Sequence, residues 1–189
     1  FQLNSRYDAR VNGEDASLRN VEWSLKKMEW DNLFNYGENN SINFEKLNGV
    51  VGVFGKNYSG KSSVIDSALY TIYNSISKNN RKNLNIINQN KQAGCGRVEI
   101  DIDGKAYIIE RKSEKYKKKL HGEETDEAKT DVEFSMIDPV TGEETSLNSL
   151  DRNGTDKEIR KIFGTIDDFL LTSMSSQMGA MTFINEGST

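Results

Sequence analysis

The eight residues Gly55-Lys56-Asn57-Tyr58-Ser59-Gly60-Lys61-Ser62 constrain this chain more than any other feature. They fit Gly-x-x-x-x-Gly-Lys-Ser/Thr, the phosphate-binding loop or P-loop. Its glycines let the backbone wrap a phosphate chain so that successive N–H groups point inward. Lys61 stands where an ammonium reaches the β- and γ-phosphates, and Ser62 where a hydroxyl meets Mg2+. Such a loop belongs between a strand and a helix. Val50-Val51-Gly52-Val53-Phe54 precedes it, a short apolar run of the kind that forms a buried strand. Behind it, Ile65, Ala68, Leu69, Ile72 and Ile76 recur three and four apart. That spacing predicts a helix over 61–77 whose N-terminus favours an anion.

The 189 residues suffice for one sizeable domain. The 25 Lys+Arg stand against 29 Asp+Glu, a formal charge of -4. This leaves no global footprint for nucleic acid, so any DNA contact must be local. No apolar run approaches membrane length and no signal peptide is visible, so we expect a cytoplasmic protein with no membrane partner. The single cysteine, Cys95, lies between Gly94 and Gly96, can form no internal disulfide, and reads as a small loop residue. With one histidine, His121, the chain shows no recognisable metal cluster. Phe1 at the start and Gly187-Ser188-Thr189 at the finish give the expectation of a piece of something longer.

Residues 1–22 are polar and read as an N-terminal extension; the domain proper is expected over 23–189. Leu25 to Trp30 predicts a strand with Met28 and Trp30 on one face, and both Trp23 and Trp30 read as packing residues. Asp31 to Asn40 is a polar turn, after which Ser41 to Phe44 returns toward the P-loop strand. Lys78 to Gln92 is rich in Asn and reads as a surface loop. Val98, Ile100 and Ile102 alternate with acids before Asp103-Gly104, a hairpin signal, and Ala106 to Glu110 is the partner strand.

Arg111, Lys112, Lys115, Lys117, Lys118 and Lys119 form a basic block, and an acidic block follows over 123–133. Two readings stand: a solvated hairpin tip whose blocks attract each other, or a local contact to the DNA backbone. Val132, Phe134 and Met136 alternate as a further strand, and Asp138 to Gly142 turns the chain. Thr155-Asp156-Lys157-Glu158 has the form of a capping box opening a helix through Phe163, stopped by Gly164. A second helix is expected over 167–173, leading to Ser175-Ser176-Gln177.

A self-sufficient P-loop hydrolase needs a second acidic motif, an apolar strand ending in an Asp that helps hold Mg2+. Val98 to Asp101 carries a charge in the wrong place, and Phe134 to Asp138 has a polar interruption before Pro139. Ser-Gly-Gly, the phosphate-sensing loop of ABC-type ATPases, is also missing. Half a site is legible.

The order of these features resembles the N-terminal half of an ABC-type ATPase head of the SMC-like DNA-repair group, most closely SbcC-type double-strand-break repair ATPases and phage exonuclease subunits. The resemblance rests on Asn32-Leu33-Phe34-Asn35-Tyr36-Gly37, the P-loop with Ser63, the hairpin from Val98 to Arg111, and Phe169 to Gln177 followed by Phe183-Ile184-Asn185. It implies an α/β fold: lobe I of a P-loop NTPase head, with a mixed or antiparallel β-subdomain and flanking helices, ending near the start of a coiled coil. It implies ATP and Mg2+ as cofactors. Gly55, Asn57, Tyr58, Ser59, Gly60, Lys61, Ser62 and Ser63 would bind the phosphates, with Phe34 and Asn35 near base or ribose. Ser62 and Gln177 would ligate Mg2+, and Gln177 and Lys61 would serve catalysis, Gln177 at the attacking water.

The implied partners are the chain's own C-terminal ATPase half, a second head in an ATP-dependent homodimer, DNA, and a nuclease of the SbcD type. The implied location is the cytoplasm, at the nucleoid. Two positions depart from the family pattern: Tyr58 stands where glycine is usual, and Phe34 where a basic residue is frequent. The alternatives are a structural DNA clamp with the same head chemistry but no nuclease, a transporter-type ATPase, and a compact P-loop kinase. Only the kinase reading expects the segment to be active alone.

Overall fold

The computed structural model describes residues 22–77, 83–120 and 123–174. Its framework is a six-stranded antiparallel sheet in the order β2-β1-β3-β4-β5-β6. The strands are β1 Trp23–Asp31, β2 Asn40–Asn43, β3 Ala93–Ile102, β4 Lys105–Leu120, β5 Glu123–Ile137 and β6 Glu144–Ser146. Among the described residues three α-helices accompany them: α1 Lys61–Tyr73, α2 Arg152–Phe163 and α3 Ile166–Thr172. Helix α1 packs on β3 and β4, and α2 packs on β5.

Alternation decides which sheet face the helices cover. Met28 and Trp30 on β1, Val98 and Ile100 on β3, Ile109 on β4 and Phe134 on β5 are all buried. The register sets Met28 beside Val98, Val98 beside Ile109 and Ile109 beside Phe134, so they form one continuous apolar layer. Leu69, Ile72 and Tyr73 of α1 and Ile159 and Phe163 of α2 complete the core. The strand and turn expected at 25–30, 98–110 and 132–142 are all present, in strands longer than the sequence pattern outlined.

Several expectations need correction. Val50 to Phe54 forms no strand, and Val50, Val51, Val53 and Phe54 are all exposed. A buried strand needs neighbours to take its N–H and C=O groups, and the described sheet gives this run none. Helix α1 ends at Tyr73 rather than 77, because Asn74 adopts the left-handed conformation (φ 55°) and its N–H returns to Tyr70 O. The segment read as a surface loop carries Ile86 and Ile87, both 1% exposed, with Ile87 bridged to Leu33.

Cys95 lies inside β3, not in a loop. The glycines beside it have a packing reason. A Cβ on Gly96 would collide with the Thr71 hydroxyl of α1, and one on Gly94 would sit 2.6 Å from Asn32 O. Helix α2 starts at Arg152, capped by Asp151, whose side chain accepts from Gly154 N; Thr155 and Asp156 are buried within it. The genuine capping box is Thr165 with Asp168, which opens α3.

Beyond Glu114 the β4–β5 pair leaves β3 and continues as a two-stranded ribbon. Lys117 and Lys119 reach Glu124, and Lys118 reaches Glu127, at 3.2–3.5 Å. These exposed pairs fit the reading of two mutually attracting charge blocks; each stabilises by about 0–1 kcal/mol. Arg111 does not belong to that surface, since it is 0% exposed.

Candidate functional site

Local chemistry shapes the P-loop. Gly60 has φ 91°, a left-handed conformation open to glycine, and turns the chain into α1. Gly55 is required for a different reason: a Cβ there would lie 2.9 Å from Ser59 Oγ. Lys61 folds back over the loop, its Nζ donating to Gly55 O at 2.8 Å and Lys56 O at 2.7 Å. Within the loop Ser59 N donates to Lys56 O, and Ser63 N to Gly60 O.

The N-terminus of α1 differs from those of α2 and α3. Asp151 and Thr165 cap the latter two with side chains, and α3 adds Asp167 and Asp168 in its first turn. Helix α1 has no side-chain cap and no acid in its first turn. The first N–H groups of a helix have no intrahelical acceptor. Ser63 N turns back to Gly60 O, while the N–H groups of Lys61 and Ser62 meet neither a side-chain cap nor an acid of the first turn, so this donor set suits a phosphate. The Ser62 side chain is exposed at the same end, with a hydroxyl suited to Mg2+.

The turn 32–37 lies against this loop. Tyr36 OH donates to Gly60 O at 3.0 Å, and Asn35 Nδ2 to Tyr58 O at 3.4 Å. Burial pushes the Tyr36 phenol above its ordinary pKa, so it remains a donor. The structure therefore brings Asn35, Gly55, Tyr58, Ser59, Gly60, Lys61, Ser62 and Ser63 into one neighbourhood, with Asn57 on the same exposed loop. Phe34 is partly buried and packs against the core. Gln177 and Phe183-Ile184-Asn185 lie outside the described residues.

Both departures carry unusual backbone. Tyr58 has φ 62° with its side chain 97% exposed, and Phe34 has φ 53°. For a non-glycine residue this region costs about 1–2 kcal/mol. A glycine at position 58 would meet no such cost. Tyr36 joins the site only through its contact with Gly60; in the sequence its one signal is an aromatic beside glycine in a turn.

Residues 27–185 match the AAA domain family. The chain is 31% identical over 174 residues to "Uncharacterized protein R555" of Acanthamoeba polyphaga mimivirus, covering 89% of this chain and 12% of that protein. It is 28% identical over 151 residues to the SbcC subunit of the nuclease SbcCD from Clostridium acetobutylicum, covering 77% and 12%. Over 87 residues it is 28% identical to the DNA double-strand break repair Rad50 ATPase of Sulfolobus acidocaldarius, covering 46% and 10%. It thus spans about an eighth or less of the length of these relatives. The chain belongs to the AAA domain family, as an ABC ATPase head segment of the SbcC/Rad50-like kind.

Proposed function

We propose that this segment is the ATP-binding half of a DNA-repair ATPase whose ATP-driven head dimerisation regulates DNA-end processing by a partner nuclease. The observation that carries the nucleotide reading is the uncapped N-terminus of α1, reached through left-handed Gly60 and overlain by the Lys61 ammonium. Backbone N–H groups of Gly60, Lys61 and Ser62 would hold phosphate oxygens, while Ser63 N stays on Gly60 O. With nucleotide bound, Lys61 would exchange its two loop carbonyls for β- and γ-phosphate oxygens, and the Ser62 hydroxyl would help hold Mg2+. The metal, when bound, neutralises charge developing on the phosphates. Gln177 is assigned to the water, by family resemblance.

Val50 to Phe54 supports the need for company. An apolar run with no strand beside it exposes backbone groups and apolar surface together. Beside α1 lies a groove of about 650 Å³ lined by Trp23, Leu25, Ile65, Leu69, Phe163 and Phe169. We assign the cover of both to the remainder of the ATPase head, which also brings the second acidic motif and the Ser-Gly-Gly loop. The nuclease and the repair role are carried over from relatives named as a nuclease subunit and as a DNA double-strand break repair ATPase.

The test is ATP turnover by the full-length protein against that of residues 23–189 alone. Mg2+-dependent hydrolysis is expected in the former, lost in Lys61→Ala, and absent from the segment. Robust turnover by the segment that vanishes in Lys61→Ala would sink the half-site reading and favour a compact P-loop enzyme.

A further inference from the structure

We propose that Tyr36 is a positioning residue for the P-loop: its hydrogen bond to the Gly60 carbonyl aims the Lys61 N–H at the phosphate. The inference rests on the nucleotide-site reading above and adds a residue which that reading does not use.

The geometry begins with the anchor. The turn 32–37 is fixed to the buried core on several sides. Leu33 is fully buried, Phe34 N donates to Ile86 O, and Asn88 N donates to Asn32 O. Asn88 Nδ2 donates to Tyr36 O at 2.9 Å, and Asn40 Nδ2 donates to both Gly37 O and Trp30 O. The Tyr36 ring stands edge-on to Trp30 with centroids 5.3 Å apart. Tyr36 is therefore a side chain whose base cannot wander.

Its tip meets the loop at Gly60, where the chain turns into α1. Gly60 has no side chain and a φ of 91°, while the run entering the loop, 50–55, is exposed. The Tyr36 ring lies alongside Gly60, where a Cβ would be 3.4 Å from its Cε2. Gly60 O accepts both the Tyr36 hydroxyl, at 3.0 Å, and the N–H of Ser63, the third helical residue, at 2.9 Å. A trans peptide is planar, and its C=O and N–H point in opposite directions. Fixing the Gly60 oxygen against Tyr36 thus fixes the Lys61 N–H on the opposite side, toward the N-terminal end of α1. Pre-orienting that donor removes an ordering cost from binding.

Tyr36→Phe keeps the ring contacts and deletes the hydrogen bond. In the full-length protein, ATP affinity with Mg2+ is measured by calorimetry, beside the unfolding midpoint without nucleotide. Wild type and Lys61→Ala are run in parallel. We expect Tyr36→Phe to weaken ATP binding about three- to tenfold, the range of one net hydrogen bond, with the nucleotide-free midpoint nearly unchanged. Wild-type affinity in Tyr36→Phe, or a fall in midpoint that accounts for the loss of affinity, overturns the positioning role. A wild-type protein that binds no ATP overturns the nucleotide-site reading itself.

Discussion

Arg111 Nη2 lies 2.7 Å from Asp156 Oδ1, and this buried pair joins β4 to α2 directly beneath the C-terminal end of the P-loop helix. The same guanidinium donates through Nε to Thr71 O at 2.9 Å and through Nη2 to Ile72 O at 3.3 Å. Those carbonyls belong to the last turn of α1, where acceptors lack helical partners and a cation complements the dipole. Burial depresses the Arg111 pKa, and Asp156 opposes that shift. Alongside, Tyr70 OH, Ser113 Oγ and Thr130 Oγ1 form a chain of 2.6 Å hydrogen bonds. One end of α1 thus faces the candidate phosphate site, and the other is fixed to the sheet by a polar layer.

Breaking this pair from one side leaves a buried charge without its partner. Arg111→Met is expected to destabilise by about 3–5 kcal/mol, and Asp156→Leu by a similar amount. The double variant should recover most of the loss, because apolar replacement removes both desolvation costs. Arg111 Nη1, buried without a protein partner, adds to the cost of the native arrangement. Urea unfolding of the two single variants and the double variant reads this directly.

Tyr58 sets a conformational limit on the loop. With φ at 62° and a solvent-exposed side chain, it has strain but little packing to lose. Tyr58→Gly should bind ATP at least as tightly as wild type. Tyr58→Val, β-branched and poorly suited to this region, should bind about fivefold or more weakly, corresponding to about 1 kcal/mol or more of added strain. Equal affinities for the Gly and Val variants would show that position 58 leaves the left-handed region when nucleotide binds.

Gly96 allows α1 to approach β3. Gly96→Ala must push against the Thr71 hydroxyl and, 3.5 Å away, Leu33 Cδ1. The expected cost is about 1–3 kcal/mol, typical of overpacking, measured as a lowered denaturation midpoint. Gly104→Ala is the contrast: open space surrounds it, and its φ of 79° in the β3–β4 turn is the source of any loss.

Alkaline pH tests the packing of Tyr73. Burial pushes its phenol from 10.0 up to about 12, with the Asp168 carboxylate adding to the shift. Its hydroxyl donates to Phe163 O at 3.2 Å, across the α1–α2 contact. The folded pKa is raised, so its contribution is complete below pH 10 and is lost as pH rises toward 12. Stability should therefore fall through that window, and Tyr73→Phe should flatten part of the slope. The measurement is unfolding free energy at several pH values between 9 and 12.

The sequence by itself determined what is local. The Gly55 to Ser62 spacing, the period of α1, the Asp103-Gly104 hairpin and the stop at Gly164 each depend on residues close along the chain. Their physics is complete within a turn or a strand pair. Tertiary structure decided the rest. The apolar run 50–54 reads as a buried strand, yet a strand is buried only when partners cover it, and the described fold gives it none. Arg111 reads as one more cation of a basic block, yet the cross-strand register sets it beside Gly96 and Val132, under α1. Gly94 and Gly96 have meaning only because the 32–33 turn and Thr71 press against them, and Tyr36 only because Gly60 lies across from it. Periodicity reports which face of an element is apolar; the neighbour opposite decides whether a given residue packs, pairs or positions a loop.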